Sequence, residues 1–392
     1  MKRCLIINDS IDGGGAEQVM QNVVMHLLHN EYQVTVSADK CNKKEFLKVF
    51  PRKVKYFSWS FKWLAKVKRF SMPWLWQRIR YSLNRLCVWG SKQRQYDLVI
   101  AMKEGPCMQQ ALQYKAKRHV GWVHVDYRYL YWTKNCFPSA EAERMCMAAF
   151  DRIICVSEAA RQSVKQTIGD PGNLCVCYNP IPVDQIREKA RQYCTVVRKQ
   201  DRMLFVAAGR LAREKQHDML LQACAELAKK FQFELWLIGE GQQRKDLERI
   251  INDNKLECVR LLGKQNNPYP LIQQADCVIS TSKSESYGLV VQEALILGIP
   301  VIATACPAMY ETVDPRFGSV VPNDAQHVLQ EMETVLLHPE QLMNKRNNIE
   351  MHYSTNELWQ SRLQKISDVL EGIIDEEEVE KNNCNHDVSS CS

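Results

Sequence analysis

An α/β protein of two domains, each on a parallel sheet, is predicted by three observations. Short β-rich runs alternate with helical stretches along the chain, the alternation falls into two series, and a polar, basic connection near residues 184–202 separates them. A chain of 392 residues also exceeds one ordinary core and suits two domains of typical size. In the first series the apolar runs at 4–7, 34–37, 54–57, 98–102, 120–124, 153–156 and 174–178 read as strands, with helices such as 16–29 and 140–150 between them. The second series places strands at 204–208, 235–238, 260–262, 278–281, 301–304 and 319–321. Two such β/α series imply two Rossmann-like domains facing across a cleft, residues 1–183 and 200–355. Beyond them, 356–374 carries Leu358, Trp359, Leu363, Ile366, Leu370 and Ile373 at helical spacing, and 375–392 is an acidic, polar tail expected to be disordered.

Composition narrows the class. A hydrophobic content of 45% and a charged content of 25% are those of a water-soluble globular protein. No apolar run approaches the roughly 20 residues needed to span a bilayer. Met1-Lys2-Arg3 leads into only four apolar residues, too few for a signal-peptide core, so a cytoplasmic location is expected. Sixteen cysteines include no C-x-x-C pair, and Cys4, Cys155, Cys175, Cys177 and Cys277 lie in apolar runs, where a free thiol acts as a small hydrophobe. No metal site is expected.

The segment Glu285-Ser286-Tyr287-Gly288-Leu289-Val290-Val291-Gln292-Glu293 follows one strand and enters a helix that stops at Gly298-Ile299-Pro300. Eight residues of helix advance about 12 Å, enough for Glu285 and Glu293 to engage opposite ends of an elongated ligand. Amides near Gly288 and Leu289 begin the helix and form a natural anion site. Glu293 sits among apolar residues and needs a partner there. A capping glutamate followed by a half-exposed helical one would give the same spacing, and this segment alone does not separate the readings.

Gly209-Arg210-Leu211-Ala212-Arg213-Glu214-Lys215 favours the ligand. It places Arg210 and Lys215 at the carboxyl end of a strand, where open α/β sheets bind ligands. Arginine offers a planar fork to phosphate oxygens and lysine a compact charge. Together with the helix start and the paired glutamates, the pattern fits a diphosphate. Gly13-Gly14-Gly15, between the first strand and first helix, allows close backbone approach to a ligand, but it is not G-x-G-x-x-G. His124 ends a strand; a lone histidine there is more often structural than catalytic.

These elements, in this order, resemble glycosyltransferase family 4, whose members have the GT-B fold: a glycine-rich loop, a strand-end His, G-R-L-x-x-E-K and E-x7-E. Val156-Ser157-Glu158 and Asn179-Pro180-Ile181 support the likeness, which covers the chain except for roughly 55–95 and the tail. The resemblance implies a retaining transfer of a hexose or N-acetylhexosamine from a nucleotide sugar, a UDP-sugar by family frequency, to a saccharide or lipid-linked saccharide in surface polysaccharide synthesis. Arg210 and Lys215 would hold the donor diphosphate, Glu293 the ribose, and Glu285 the transferred sugar. The amides of Gly288 and Leu289 would meet phosphate or sugar. Gly14 and Gly15 would close on the donor from the other domain, with His124 near the reacting sugar and Gly209 among the donor-binding residues. Helix 356–374 would cross back onto the N-terminal domain. Ser286 and Tyr287 stand where Gly and Phe are more usual, which leaves sugar preference open. The sequence contains no D-x-D, so the cationic groups and helix tip are expected to neutralise the leaving nucleotide without a metal cofactor. The alternatives are another GT-B enzyme, such as a UDP-sugar epimerase, or a non-catalytic sugar-nucleotide-binding protein.

Between Glu45 and Asp97 no acidic residue occurs, while lysines and arginines interleave with tryptophans. Over 55–95 an amphipathic helix pair, a nucleic-acid surface and a membrane-surface patch all fit. Mixed Trp and Lys/Arg favour an anionic headgroup layer, so peripheral contact with the inner membrane face is expected and nucleic acid is not.

Overall fold

The structure, a computed structural model, describes residues 1–11, 14–38, 43–57, 94–353 and 355–373. Most of the basic, aromatic stretch at 55–95 and the tail at 375–392 therefore lie outside the described residues, as does Gly13.

The strands are β1 (Arg3–Asn8), β2 (Gln33–Ala38), β3 (Lys55–Phe57), β4 (Tyr96–Ala101), β5 (Ala116–Val123), β6 (Arg152–Cys155) and β7 (Leu174–Val176), then β8 (Met203–Ala208), β9 (Phe233–Ile238), β10 (Val259–Gly263), β11 (Cys277–Ser280), β12 (Val301–Thr304) and β13 (Gly318–Val321). They form a seven-stranded sheet, β3-β2-β1-β4-β5-β6-β7, and a six-stranded sheet, β10-β9-β8-β11-β12-β13. Every pairing is parallel, for instance Ile6 with Val36 and Ile100, or Val206 with Trp236 and Val278. Parallel strands need crossover helices, which cover both faces and bury the strands completely. Leu5, Ile6, Ile7, Phe205, Val206, Leu235 and Leu237 are accordingly buried, as are the strand cysteines Cys4, Cys155 and Cys277.

Each sheet reverses its strand order once. The chain builds outward from β1 through β2 to β3 and then returns to β4 on the other side of β1; it leaves β8 for β9 and β10 and returns to β11. At such reversals adjacent loops diverge and open a crevice at the carboxyl ends of the strands.

The chain divides into two compact units, Met1–Pro180 together with the chain from Arg362, and Ile181–Ser361. The last described helix, Glu357–Glu371, explains the split membership. Its end packs on the first unit: Arg118 donates to the Val369 carbonyl at 3.1 Å, Arg362 to the Asn179 carbonyl at 3.3 Å, and Lys2 pairs with Glu371 at 2.9 Å. In the second unit Phe205, Leu220, Leu235, Leu247, Cys277 and Val328 share one apolar core. Among the described residues no helix is long and apolar enough to cross a membrane.

Candidate active site

The second unit gathers its charged groups at the reversal between β8 and β11. After β8 the backbone turns at Gly209 and runs into a short 3-10 turn, Arg213–Lys215. The Lys215 ammonium meets Glu285 Oε1 at 2.5 Å, in a site where these side chains are 21% and 16% exposed. Ser282 Oγ donates to the same carboxylate oxygen at 2.7 Å. Backbone ties hold the two loops in register: Thr281 Oγ1 donates to the Lys215 carbonyl and the Lys283 amide to the Glu214 carbonyl, both at 2.8 Å. Thr304 Oγ1 donates to the Ser282 carbonyl at 3.0 Å, fixing the second loop to β12.

Below the basic loop lies a support that sequence reasoning missed. Gly239 follows β9, and a Cβ on it would stand 1.8 Å from the Gly209 carbonyl oxygen. Only glycine permits that approach. The two loops then exchange backbone bonds, with the Gly209 amide donating to the Ile238 carbonyl and the Leu211 amide to the Glu240 carbonyl, both at 2.9 Å. Arg210, one residue along, is 72% exposed and pairs with Glu214 at 3.1 Å.

The E-x7-E spacing is only partly helical, which corrects the expected continuous rise. The helix runs Leu289–Ile296, because Gly288 at φ +77° takes the left-handed conformation and turns the chain into its first turn. The N-cap, Gly288, has no side chain with which to cap the helix, and Glu285 is engaged instead by Lys215 and Ser282. The uncapped N-terminus presents the positive end of the helix dipole. At its far side Glu293 is buried, and its Oε1 accepts from the Tyr269 hydroxyl at 3.1 Å. Tyr269 is thus the partner the sequence demanded. Burial pushes the Glu293 carboxyl up to about 7, against opposing help from the Tyr269 hydroxyl and the Lys189 charge.

In the first unit Gly14 caps the helix Gly15–His29 at the carboxyl end of β1. A second group sits across the reversal, after β4. Lys103 pairs with Asp9 at 3.2 Å. Burial works against the Lys103 charge, but Asp9, Glu17 and Glu104 outweigh it and its pKa is raised. Glu104 is fully buried, and both carboxylate oxygens are engaged: Oε2 accepts the His124 amide at 3.1 Å and Oε1 the Trp132 indole N–H at 2.8 Å. Burial raises its pKa. The His124 ring stacks on Trp122 with centroids 6.4 Å apart, and burial, aided by the Lys103 charge, lowers its pKa to about 3. A neutral imidazole at physiological pH fits a positioning role.

Lys215 and Glu285 are therefore brought into contact, Arg210 faces solvent beside them, Glu293 faces Tyr269, and Gly14, Gly15 and His124 belong to the other unit. Glu104 and Lys103 went unread in the sequence because Lys103-Glu104-Gly105-Pro106 has the look of a solvated turn. Among the described residues no cluster of His, Cys, Asp or Glu has metal-binding proximity.

Comparison with known proteins gives the family and the fold. The family described as "Glycosyl transferases group 1" matches residues 194–351, and "Glycosyltransferase Family 4" matches residues 13–185. A GDP-mannose-dependent alpha-(1-6)-phosphatidylinositol dimannoside mannosyltransferase of Mycobacterium tuberculosis is 26% identical over 198 residues, 49% of this chain and 51% of its own. An N-acetylgalactosamine-N,N'-diacetylbacillosaminyl-diphospho-undecaprenol 4-alpha-N-acetylgalactosaminyltransferase of Campylobacter jejuni is 29% identical over 165 residues, 41% of this chain and 44% of its own. The matches thus span about half the length of these relatives. Among solved structures, Anabaena Alr3699/HepE in complex with UDP superposes with a TM-score of 0.73 at 18% identity, over 95% of this chain and 100% of that one. The lipopolysaccharide outer core galactosyltransferase WaaB gives a TM-score of 0.64 at 17% identity, over 95% and 100%. With both halves matched in order and the two-sheet architecture shared, this chain belongs to the group 1, family 4 glycosyltransferases of GT-B fold.

Proposed function

We propose that this chain transfers a hexose or N-acetylhexosamine, with retention of configuration, from a nucleotide sugar to a saccharide or lipid-linked saccharide acceptor. The observation that carries the reading is the Lys215–Glu285 contact at the reversal of the second sheet, beside an uncapped helix start. A departing nucleoside diphosphate accumulates negative charge, and preorganised cations and amide dipoles stabilise it without reorganisation. Lys215, Arg210 and the amides of Gly288 and Leu289 supply that potential without requiring a metal. Glu285 holds Lys215 in place and offers a carboxylate to sugar hydroxyls. Glu293, once ionised, accepts from ribose hydroxyls in this reading. His124, neutral, orients rather than takes a proton.

A UDP-sugar is the first donor to test, supported by the UDP complex of Alr3699/HepE; GDP-mannose is the second, after the mycobacterial relative. The lipid-diphosphate acceptor named for the Campylobacter relative supports a membrane-borne acceptor, and contact with the cytoplasmic membrane face through residues 55–95 belongs to the same proposal. The test is a thermal-shift screen of nucleotides and nucleotide sugars, followed by product analysis with glycoside acceptors. Stabilisation by one nucleotide series and sugar transfer support the reading. Donor epimerisation with no transfer would replace it with an epimerase, and binding with no turnover would leave a sugar-nucleotide-binding protein.

A further inference from the structure

We infer that the acidic run at 375–380 docks on a row of cations along the amino-terminal edge of the first sheet, so that this chain supplies the occupant of its own basic surface. The inference is independent of the donor-site reading above. The row is built by the starts of three strands. Lys2 precedes and Arg3 opens β1, Arg94 stands two residues before β4, and Lys115, Lys117 and Arg118 surround the start of β5. Backbone bonds set these starts side by side: the Arg3 amide donates to Asp97 Oδ2 at 2.8 Å, and the Tyr96 amide to the Lys115 carbonyl at 3.0 Å. Neighbouring strands lie about 4.8 Å apart, so β1, β4 and β5 crowd these cations onto one edge.

Surface cations are ordinarily just solvated. Here the nearby carboxylates are already committed: Asp97 serves the Arg3 amide and Lys117, Asp151 the His119 amide, and Glu371 both Lys2 and the Tyr32 hydroxyl. Arg3, Arg94 and Lys115 are exposed and carry no ion pair with a described residue. Arg118 donates through Nη2 to the Val369 carbonyl at 3.1 Å, while its Nε is buried without a partner. The chain leaves the fold at this guanidinium. Helix Glu357–Glu371 is closed by left-handed Gly372, whose amide donates to the Val369 carbonyl at 3.3 Å, and the Ile373 amide donates to the Asp368 carbonyl at 2.9 Å. That double closure fixes the direction of exit. A Cβ on Gly372 would stand 2.2 Å from Arg118 Nη1, so the exit lies against the row. Two residues past Ile373 the sequence reads Asp375-Glu376-Glu377-Glu378-Val379-Glu380. Carboxylates this dense repel one another, and a strip of cations relieves the repulsion. Six extended residues reach about 20 Å, some four strand spacings, enough to cover β5, β4 and β1.

A water-soluble carbodiimide joins a carboxylate to a lysine amine only where the two meet, which makes it the probe for the full chain, with peptide mass spectrometry to read the bonds formed. Coupling of the 375–380 carboxylates to Lys115 or Lys117 is expected at low salt and should fall several-fold at about 1 M salt, where screening cuts the range of attraction to about 3 Å. A tether alone also brings the run near, so the deciding variant is Arg3→Gln with Arg94→Gln, which removes charge but no reactive amine. It should lower coupling at Lys117 about threefold, the scale of losing two surface pairs. Glu377→Gln with Glu378→Gln, which leaves the folded units untouched, should lower coupling of Asp375 and Glu376 by a similar factor. Mixing isotope-labelled with unlabelled chains separates bonds within one chain from bonds between copies. Coupling within one chain, with these losses, supports the inference. Three results overturn it. Coupling confined to bonds between copies would give the row to a second chain. A yield indifferent to salt and to both variants would reduce it to the tether. Lysines that no carboxylate of the run reaches, but that phosphatidylglycerol vesicles shield from acetylation, would give the row to an anionic membrane.

Discussion

If Glu293 binds the donor as a carboxylate, donor affinity must weaken as the pH falls through 7. Burial holds its pKa at about 7, with the Tyr269 hydroxyl as its hydrogen-bond donor. Ribose hydroxyls donate best to an ionised acceptor, so only the deprotonated fraction is competent. That fraction is about 0.9 at pH 8 and about 0.1 at pH 6, which raises the apparent Kd about tenfold across the interval. UDP-glucose is the right probe because its diphosphate diester takes up no proton in this window. Burial also holds His217 to about 4 and His124 to about 3, so neither titrates there. Isothermal titration between pH 6 and 8 gives the slope, and Glu293→Gln should flatten it while weakening binding at pH 8. A wild-type Kd constant across that range would refute the reasoning.

The same shift has a stability consequence of definite sign. An unfolded glutamate titrates near 4.5, so between about 4.5 and 7 the native state keeps a proton that the unfolded state has lost. Stability without ligand is therefore fullest below the lower value and declines as pH rises through the upper one. The change amounts to about 3 kcal/mol from this group alone. Comparing urea unfolding of wild type and Glu293→Gln isolates it.

Three further outcomes are expected. Lys215→Ala should lower kcat by about 10²–10³, the scale of removing one oxyanion donor, and near wild-type turnover would remove its assigned role. Gly239→Ala should lower unfolding stability by about 1–3 kcal/mol, since the new Cβ meets a backbone oxygen and forces the Arg210 loop to shift; an unchanged urea midpoint would contradict the close packing of these loops. Transfer should persist in EDTA, and loss restored by Mg²⁺ or Mn²⁺ would mean a metal shares the leaving-group charge.

The strands were legible because parallel strands buried on both faces leave continuous apolar runs, as at 235–238 and 301–303. Strand ends were not. β5 begins at Ala116, but Lys117, Arg118 and His119 give no apolar signal, and it is backbone pairing with β4, with Asp151 on the other side of His119, that recruits them. The E-x7-E element was legible as a motif and misread as one helix, because a left-handed Gly288 is a backbone choice that spacing does not announce. Glu285 and Lys215 were each nominated by their surroundings, yet their contact, across 70 residues, depends on β8 lying beside β11. Gly239 was missed for a related reason: its importance comes from Gly209, on the neighbouring strand's loop.

The first sheet carries the same kind of pair with the two sides exchanged. Lys103 follows β4 and pairs with Asp9 after β1, whereas Lys215 follows β8 and pairs with Glu285 after β11; β1–β4 and β8–β11 each flank the reversal of their sheet. A lysine at such a crevice has a mobile four-carbon stem, and unpaired it would sample many rotamers before meeting an anion. A carboxylate on the adjoining loop removes that freedom in advance, at the cost of competing with the ligand for the ammonium. The competition is tolerable at Lys215, because a diphosphate also gains the open amides at Gly288 and Leu289, which Glu285 does not cap. Cutting Glu285 back to alanine should therefore separate the two effects: nucleotide diphosphate alone would bind as well or better, while turnover of the nucleotide sugar would fall. Weaker binding of free UDP or GDP to that variant would show that the acid assists phosphate capture, and the competition argument would fail.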